Sequence, residues 1–418
     1  MNLMIRKFLD NKNFMKLWVS QILSQVTINM MNFSLLVYLF SKTGSSIAVS
    51  FLWISYAIPA LFVGPFGATL ADFGNRRKIL MVTNISQSII ILTYSLIYGN
   101  YFFLTYVVVM LYSFFNQFYV PAEAAMLPTL VKRKSLPEAN SLFFVTQQAA
   151  IILGFGIAST LHELVGIRLT FWIASALIFL AFISVNSLPK LKILYPKRKR
   201  NFEESASDFF GRILEGYKFI KNNKEVLTPF LFLMSIQIGI SILVIIVPAL
   251  SRDILSIKAS SSGILVIAPA GLGAVIGSFI LRKLLNSGWR KKKTIETSLT
   301  LIAVDLINLV LIVPILSYGP KFVLTEIGFV LAGIAAVGVI IPTQTYLQEV
   351  TPGGMRGRVF GNFWFLTTAA TIIPVLFSAT LTEILGVRFL LIFLALSALF
   401  ASFLSRKFGQ NYIEKSFV

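Results

Sequence analysis

Long apolar stretches alternate with short polar connections along most of the chain, and this alternation restricts the possible folds more than any other feature. A helix crosses the hydrocarbon core of a bilayer with roughly 20 apolar residues, and most of these stretches have that length. Of the 418 residues, 56% are hydrophobic and only 13% are charged, a balance that no soluble domain of this size needs. The sequence therefore predicts an all-α polytopic membrane protein.

The predicted spans number twelve, in two sets of six. They lie at about 15–40, 46–71, 78–98, 102–127, 139–161, 168–188, 229–251, 260–283, 294–316, 322–347, 357–381 and 387–405. The interval between the sixth and seventh spans is the longest. We therefore predict a six-helix bundle at 1–188, a cytoplasmic linker at 189–228 and a second six-helix bundle at 229–418.

The linker contains apolar residues at helical spacing, which predicts an amphipathic helix. The apolar positions are Phe209, Phe210, Ile213, Leu214, Tyr217 and Ile220. Because a cluster of lysines and arginines precedes them, we expect the helix to lie on the inner membrane surface against anionic lipid headgroups. A helix that binds a protein partner is the alternative.

The distribution of positive charge predicts the orientation. Of 37 lysines and arginines, all but six fall on the side that also holds both termini. Since positive residues collect in cytoplasmic connections, we expect both termini in the cytoplasm and residues 1–13 to form a cytoplasmic tail, not a cleaved signal. The net charge of +20 is then explained by topology and lipid contact, and nucleic acid is not an expected partner.

The two halves of the chain resemble each other. The segment Thr160–Arg168 returns 220 residues later as Thr380–Arg388, with a glutamate, a glycine and an arginine at matching positions. Such matches among polar residues favour an internal duplication. Parallel repeats of this kind are known from one large class of transporters.

The connection between the second and third spans, residues 64–78, carries a distinctive motif. Gly67 is followed by Asp72, Asn75, Arg76 and Arg77, and the spacing resembles the signature of the major facilitator superfamily. Two further segments resemble its macrolide-efflux and siderophore-exporter branch: Ala125–Val131 with Ala139–Ser141, and Gln348–Pro352 with Arg356–Phe360. This resemblance covers nearly the whole chain and implies a transporter in which two bundles rock about a central cavity.

The resemblance also implies a role for the motif. In the superfamily, the acid and the arginines form a charge cluster that favours one of two conformations. We therefore expect Gly67, Asp72, Arg76 and Arg77 to belong to a conformational latch. Arg356 and Arg358 form a basic loop in the second half that we expect to take part in the same latch. The alternative is that these cations only set the topology.

Two acids within spans are candidates for proton coupling, because an ionisable group in hydrocarbon is costly and usually functional. Asp305 lies near the middle of the ninth span, and Glu123 follows Pro121 near the inner end of the fourth. For Asp305, the alternative is a structural acid that is hydrogen-bonded to a neighbouring helix. For Glu123, the alternative is a side chain that reaches the cytoplasmic water.

Neutral polar residues within spans are candidates for a substrate cavity, since such side chains face protein or water. They are Gln21, Gln25, Asn29, Asn32, Asn116, Gln117, Gln147, Gln237 and Gln344, with Trp364 as an aromatic neighbour. By the resemblance, the first, fourth, seventh and tenth helices line the cavity. Hydrogen bonds between helices are the alternative role for about half of them.

These features together predict a proton-coupled exporter, or antiporter, of hydrophobic or amphipathic small molecules, such as a multidrug resistance protein of the cell membrane. We expect a monomer without a cofactor. An enzyme is not expected: a single histidine and no cysteine make a metal site improbable, and no nucleotide-binding motif is present. A lipid flippase on the same fold and a transport-inactive sensor or scaffold are the alternatives.

Overall fold

A computed structural model gives the fold, and it describes residues 10–99, 101–132, 135–189 and 202–408. The first six helices are α1 (Lys12–Thr43), α2 (Ser46–Phe73), α3 (Arg76–Ile97), α4 (Leu104–Leu130), α5 (Leu136–Leu164) and α6 (Gly166–Asn186). The others are α7 (Phe202–Asn222), α8 (Lys224–Leu250), α9 (Ala268–Asn286), α10 (Lys291–Leu311), α11 (Tyr318–Val350) and α12 (Arg356–Phe408). All twelve predicted spans fall on these elements, so the predicted all-α fold is confirmed.

Ten helical stretches in the described part of the chain are long and apolar enough to cross a membrane. Two predicted spans share one of them, because α12 continues across the break at Gly386. The fourth predicted span, α4, is not among the ten. It carries Asn116, Gln117, Glu123 and two internal prolines, which lower its hydropathy and identify it as a helix with a polar role.

The chain divides into two compact units. The first comprises Met1–Lys42 and Phe51–Gly211, and within it α3 packs against α4 and α6. The second comprises Thr43–Ser50 and Arg212–Val418, and within it α11 packs against α9 and α10, while α12 packs against α8 and α10. Backbone groups buried in lipid must find partners within the protein, and continuous helices in both units provide them.

The repeated segments have the same backbone geometry, which supports the duplication. Gly166 has a φ of 77° between α5 and α6, and Gly386 has a φ of 82° at the break in α12. A left-handed conformation is easily adopted only by a residue without Cβ. Both copies therefore use a glycine to turn the chain sharply between two adjacent spans.

Small residues let helices approach closely, as their four-residue spacing indicates. A Cβ on Gly154 would lie 2.9 Å from the Val26 carbonyl oxygen, and one on Gly277 would lie 2.8 Å from the Ile334 Cα. Neither position has room for a methyl group. Both glycines therefore serve the packing of neighbouring helices.

The linker helix α7 packs onto the second unit through one of its faces. Ile220 is buried in a cluster with Val359 and Phe363, and the Glu215 carboxylate lies 2.6 Å from Arg358 Nη1. Leu214 and Tyr217 stay exposed on α7. The predicted apolar face is thus divided between the protein and the exterior; the side chains of Phe209 and Phe210 lie outside the described part of the chain.

We expect Gly216→Leu to detach α7 from the second unit. A Cβ on Gly216 would overlap Asn362 Nδ2 and lie 3.1 Å from the Arg358 carbonyl oxygen, so a leucine side chain has no space there. Hydrogen–deuterium exchange of the α7 amides should become faster. Gly211→Leu is the matched control, because no atom lies within 4 Å of its Cβ position. Equal exchange in both variants would contradict the packing role of Gly216.

Candidate functional site

Gly67 brings α2 against α4 at a point where α4 has an unsatisfied carbonyl. Pro121 has no N–H, so the Gln117 carbonyl, four residues earlier, loses its helical donor. A Cβ on Gly67 would overlap that carbonyl oxygen and lie 2.7 Å from the carbonyl carbon. The glycine of the motif is therefore required by the close backbone contact between the two helices.

Arg76 and Arg77 hold the end of the first unit together through backbone carbonyls. Arg76 Nε donates to the Ala71 oxygen at 3.2 Å, and Arg76 Nη1 donates to the Ala125 oxygen at 2.8 Å. Arg77 Nη2 donates to both oxygens of Asn186, the backbone oxygen at 2.5 Å and the side-chain oxygen at 3.1 Å. These contacts join α2, α3, α4 and α6. The side chain of Asp72 lies outside the described part of the structure.

In the second unit, Arg356 and Arg358 have different partners. Arg356 Nε donates to the Thr351 carbonyl oxygen at 3.1 Å, in the connection that precedes α12. Arg358 Nη1 pairs with Glu215 on α7. The predicted basic loop thus stabilises the start of α12 and fixes the linker helix, a contact that the sequence pattern did not indicate.

The polar residues of α1 do not share one role. Gln21 is buried, and its Nε2 donates to the Phe143 carbonyl oxygen at 3.0 Å. Asn29 Nδ2 donates to the Gln25 carbonyl oxygen at 2.8 Å, and its Cβ faces Gly154. Asn32 is exposed. Gln21 and Asn29 therefore serve helix packing, whereas Asn32 is free to contact a solute.

Asn32 lies in a small cleft of the first unit. The lining residues are Met31, Asn32, Leu35, Tyr56, Val108, Val109 and Tyr112. One amide and two phenol groups lie among the aliphatic side chains around this cleft, which has room for about one water molecule. Next to it, Asn116 Nδ2 donates to the Tyr56 hydroxyl at 3.2 Å, so α2 and α4 are joined by neutral polar groups at the cleft.

The other cavity candidates are partly or fully accessible. Gln117 Nε2 donates to the Ser113 carbonyl oxygen at 3.2 Å within α4. Gln237 and Gln344 are partly buried, and Gln147 is exposed. Trp364 is 63% exposed, although its neighbour Phe363 packs against Phe230. These side chains lie on α4, α5, α8, α11 and α12.

Glu123 belongs to a buried polar cluster that the sequence did not reveal. The Tyr119 hydroxyl donates to Glu123 Oε1 at 2.7 Å, and the hydroxyls of Ser20 and Ser24 lie near the Tyr119 hydroxyl. Ser24 donates to Asn84 Oδ1 at 3.4 Å, and Asn84 Nδ2 donates to Ser20 Oγ at 3.3 Å. Three helices, α1, α3 and α4, contribute to this cluster, whose members are all at most 8% exposed.

Asp305 is buried on α10 against Gly328 of α11. A Cβ on Gly328 would overlap Asp305 Oδ1 and lie 3.4 Å from its Cγ, so the glycine makes room for the carboxyl group. The carboxyl group has no hydrogen-bond partner among the described residues. A structural acid bonded to a neighbouring helix, the alternative role, would require such a partner.

The described residues contain no group of three or more histidine, cysteine, aspartate or glutamate side chains able to hold a metal ion. The single histidine, His162, lies with its Nε2 2.9 Å from the Ser34 hydroxyl. It links α5 to α1 in the first unit and contributes to packing between them.

Long apolar helices in two six-helix sets, related by a repeat and carrying buried neutral polar groups, define a polytopic membrane protein of the transporter class. The chain belongs to the Major Facilitator Superfamily, whose family model matches residues 17–375. The resemblance found in the motif at Gly67–Arg77 is therefore confirmed. Family and fold are those of transporters, not of enzymes.

Curated relatives are transporters of the same superfamily. The chain is 26% identical over 368 residues to the uncharacterized MFS-type transporter YfiS of Bacillus subtilis (strain 168), covering 83% of this chain and 81% of YfiS. It is 23% identical over 216 residues to macrolide efflux protein A of Streptococcus pyogenes. That match covers 50% of this chain and 52% of the efflux protein.

Solved structures share the fold at low identity. The nucleoside transporter NupG matches with a TM-score of 0.74 and 13% identity, over 94% of this chain and 99% of NupG. A transporter of the POT family matches with a TM-score of 0.71 and 13% identity, over 96% of each chain. At identities this low, the matches show that the fold is shared and do not indicate the substrate of this chain.

Proposed function

We propose that this chain exports hydrophobic or amphipathic small molecules across the cell membrane in exchange for protons. The observation that carries the proposal is that the polar groups around the first-unit cleft are neutral. Asn32, Tyr56 and Tyr112 place an amide and two phenol groups among aliphatic side chains, and no charged side chain is among the residues around the cleft. A cavity that opens at this place during transport would suit a cargo with apolar area and a few polar groups. The likeness to macrolide efflux protein A agrees with this cargo.

Transport of this kind proceeds by alternating access, with the two six-helix halves rocking about a central substrate site. In this proposal the halves are residues 1–188 and 229–418, and 189–228 is the linker. Asp72, Arg76, Arg77, Arg356 and Arg358 form the latch that favours one of the two states. An ion pair in partly dry surroundings is strong when assembled and costly when one partner is removed, which is the property that a latch needs.

Asp72→Asn is therefore expected to slow transport and to change the balance of conformations. The substitution keeps the size of the side chain and removes its charge. The native chain has no cysteine, so single cysteines can be introduced on either side of the membrane. Their reaction with a membrane-impermeant thiol reagent then measures the balance between the inward-facing and outward-facing states. If both transport and labelling match the unsubstituted protein, the latch proposal is wrong.

The membrane placement in this proposal follows the positive charges. Both termini and the linker lie in the cytoplasm, and the protein acts as a monomer. The exposed Leu214 and Tyr217 of α7, with Lys218 and Lys221 also exposed on this helix, contact anionic lipid headgroups at the inner surface.

Binding followed by counterflow tests the proposed cargo. Purified protein is screened by thermal shift against macrolides, siderophores, lipids and amphipathic dyes, and each stabilising compound is then tested for exchange in proteoliposomes. Saturable exchange of a macrolide or dye supports the proposal. Movement of lipids alone would favour the flippase, and binding without any exchange would favour the transport-inactive sensor.

A further inference from the structure

The cluster around Glu123 contains a carboxyl group in surroundings that do not suit a permanent charge. Glu123 is 8% exposed, and the hydrophobic cluster that contains its neighbours Ala122, Met126 and Leu127 also includes Leu17 and Leu80. Removing a carboxylate from water without a compensating cation costs several kcal/mol. The carboxyl group is therefore more stable there with a proton bound.

No cation offsets this cost among the described residues. On α3, Arg76 reaches α4 but donates to the carbonyl oxygens of Ala71 and Ala125. On α1, Lys16 donates to the Ser187 carbonyl oxygen at 2.5 Å. The groups of α1 and α3 that reach the cluster are the Ser20 and Ser24 hydroxyls and the Asn84 amide, all neutral. On α4, the group that contacts Glu123 is the Tyr119 hydroxyl.

The hydroxyl of Tyr119 makes a temporary charge possible. It donates to Glu123 Oε1, and a donor to a carboxylate is worth more than one to a neutral acid. Ser20 and Ser24 of α1 lie near the same hydroxyl and bond to Asn84 of α3, so polar groups of both helices surround the donor. A shift of α1 or α3 relative to α4 would break or strengthen these contacts and thereby change the proton affinity of Glu123.

We propose that Glu123 is the proton-binding site of the transport cycle, with Tyr119, Ser20, Ser24 and Asn84 as the groups that couple its protonation to the packing of α1, α3 and α4. This inference rests on the proposed proton exchange and assigns its site. In the release step, the O–H bond of the carboxyl group breaks, the proton passes to a water molecule, and the carboxylate keeps the electron pair and the Tyr119 hydrogen bond. Uptake reverses these changes.

Infrared difference spectroscopy of the purified protein in lipid vesicles tests this site without any substrate. Raising the pH should remove a carboxylic-acid C=O band in the unsubstituted protein. Glu123→Gln should abolish that band. Tyr119→Phe should move it to higher frequency, because loss of a hydrogen bond strengthens the C=O bond, while the aromatic ring keeps the fold. Asp305→Asn is the control: it removes the band of the other carboxyl group that is buried among the described residues and should leave the Glu123 band at its original frequency.

The outcomes separate this inference from the proposed function. If Glu123→Gln removes no carboxylic-acid band that Asp305→Asn leaves in place, the assignment is overturned even if the protein moves drugs under a pH gradient. Gradient-driven transport at the unsubstituted rate in Glu123→Gln would also overturn it. A band that behaves as expected in a protein that exchanges no macrolide or dye would support the proton site and overturn the proposed cargo.

Discussion

Gly67→Ala is expected to destabilise the protein by about 1–3 kcal/mol, the usual cost of extra atoms in a well-packed contact. The added methyl group would overlap the carbonyl oxygen of Gln117. Because the obstacle is backbone, it cannot turn away as a side chain would. The helices α2 and α4 must therefore separate, and Arg76, which donates to Ala71 on α2 and to Ala125 on α4, is strained between them.

Thermal unfolding in detergent or lipid nanodiscs measures this effect. Gly64→Ala is the matched control, one turn earlier on α2, because its Cβ would lie 3.5 Å from Gln117 Oε1, an ordinary contact. We expect a lower midpoint for Gly67→Ala only, and slower transport at temperatures where the variant stays folded. Equal midpoints for both variants would show that the motif glycine is not needed for packing.

Gly328→Ala is expected to be strongly destabilising because of one carboxyl group. The new methyl group would overlap Asp305 Oδ1, so the buried carboxyl group must move or the two helices must separate. If this clash is the cause, Asp305→Ala should partly restore stability in the double variant. Contacting residues typically show coupling of about 0.5–3 kcal/mol, and we expect a value in that range, of compensating sign.

A second glycine on the same pair of helices provides a control for this double-mutant cycle. Gly338→Ala would overlap the Ser298 hydroxyl, so it disturbs the contact of α10 with α11 at a different place. Its effect should add to that of Asp305→Ala without coupling, as expected for separate sites. Additive effects in the Gly328 and Asp305 pair, measured by thermal unfolding, would contradict the contact.

The fold was predictable because its determinants are local. Each span needs only a run of apolar residues, and the turn at Gly166 and its repeat at Gly386 needs only a residue without Cβ. The break within α12 follows from that glycine alone. At Gly67 the motif shows the glycine, but its partner in the close contact, the Gln117 carbonyl four residues before Pro121, lies on another helix and is not visible in the sequence.

The candidate site was predictable only where one residue is conspicuous. Glu123 and Asp305 stand out because each is an acid in an apolar stretch. The groups around Glu123 were not recognisable in the sequence. Ser20, Ser24 and Asn84 resemble the small polar residues of any membrane helix, and only tertiary packing brings them close to Tyr119. The neighbour of Asn29 was also not visible in the sequence. Its position on the polar face of α1 predicted that it lines a cavity, whereas Gly154 packs against it.

The packing of the linker was likewise hidden in the sequence. The apolar positions of α7 predicted a lipid surface, whereas Ile220 packs on Val359 and Phe363 of the chain itself. Gly216 was not predicted to lie in a close contact, because a glycine in an amphipathic helix does not indicate which residue packs against it. A contact between segments more than 130 residues apart, such as Glu215 with Arg358, cannot be inferred from local periodicity.

Flux under an imposed pH gradient tests the central claim, that this transporter exchanges protons for an amphipathic cargo. Protein is reconstituted in proteoliposomes with a macrolide or dye identified by the binding screen, and uptake is followed with the interior acidic, with equal pH, and with the interior acidic plus a protonophore. The account predicts accumulation only in the first condition. Uptake that is equal in all three, or that occurs in none, would contradict it.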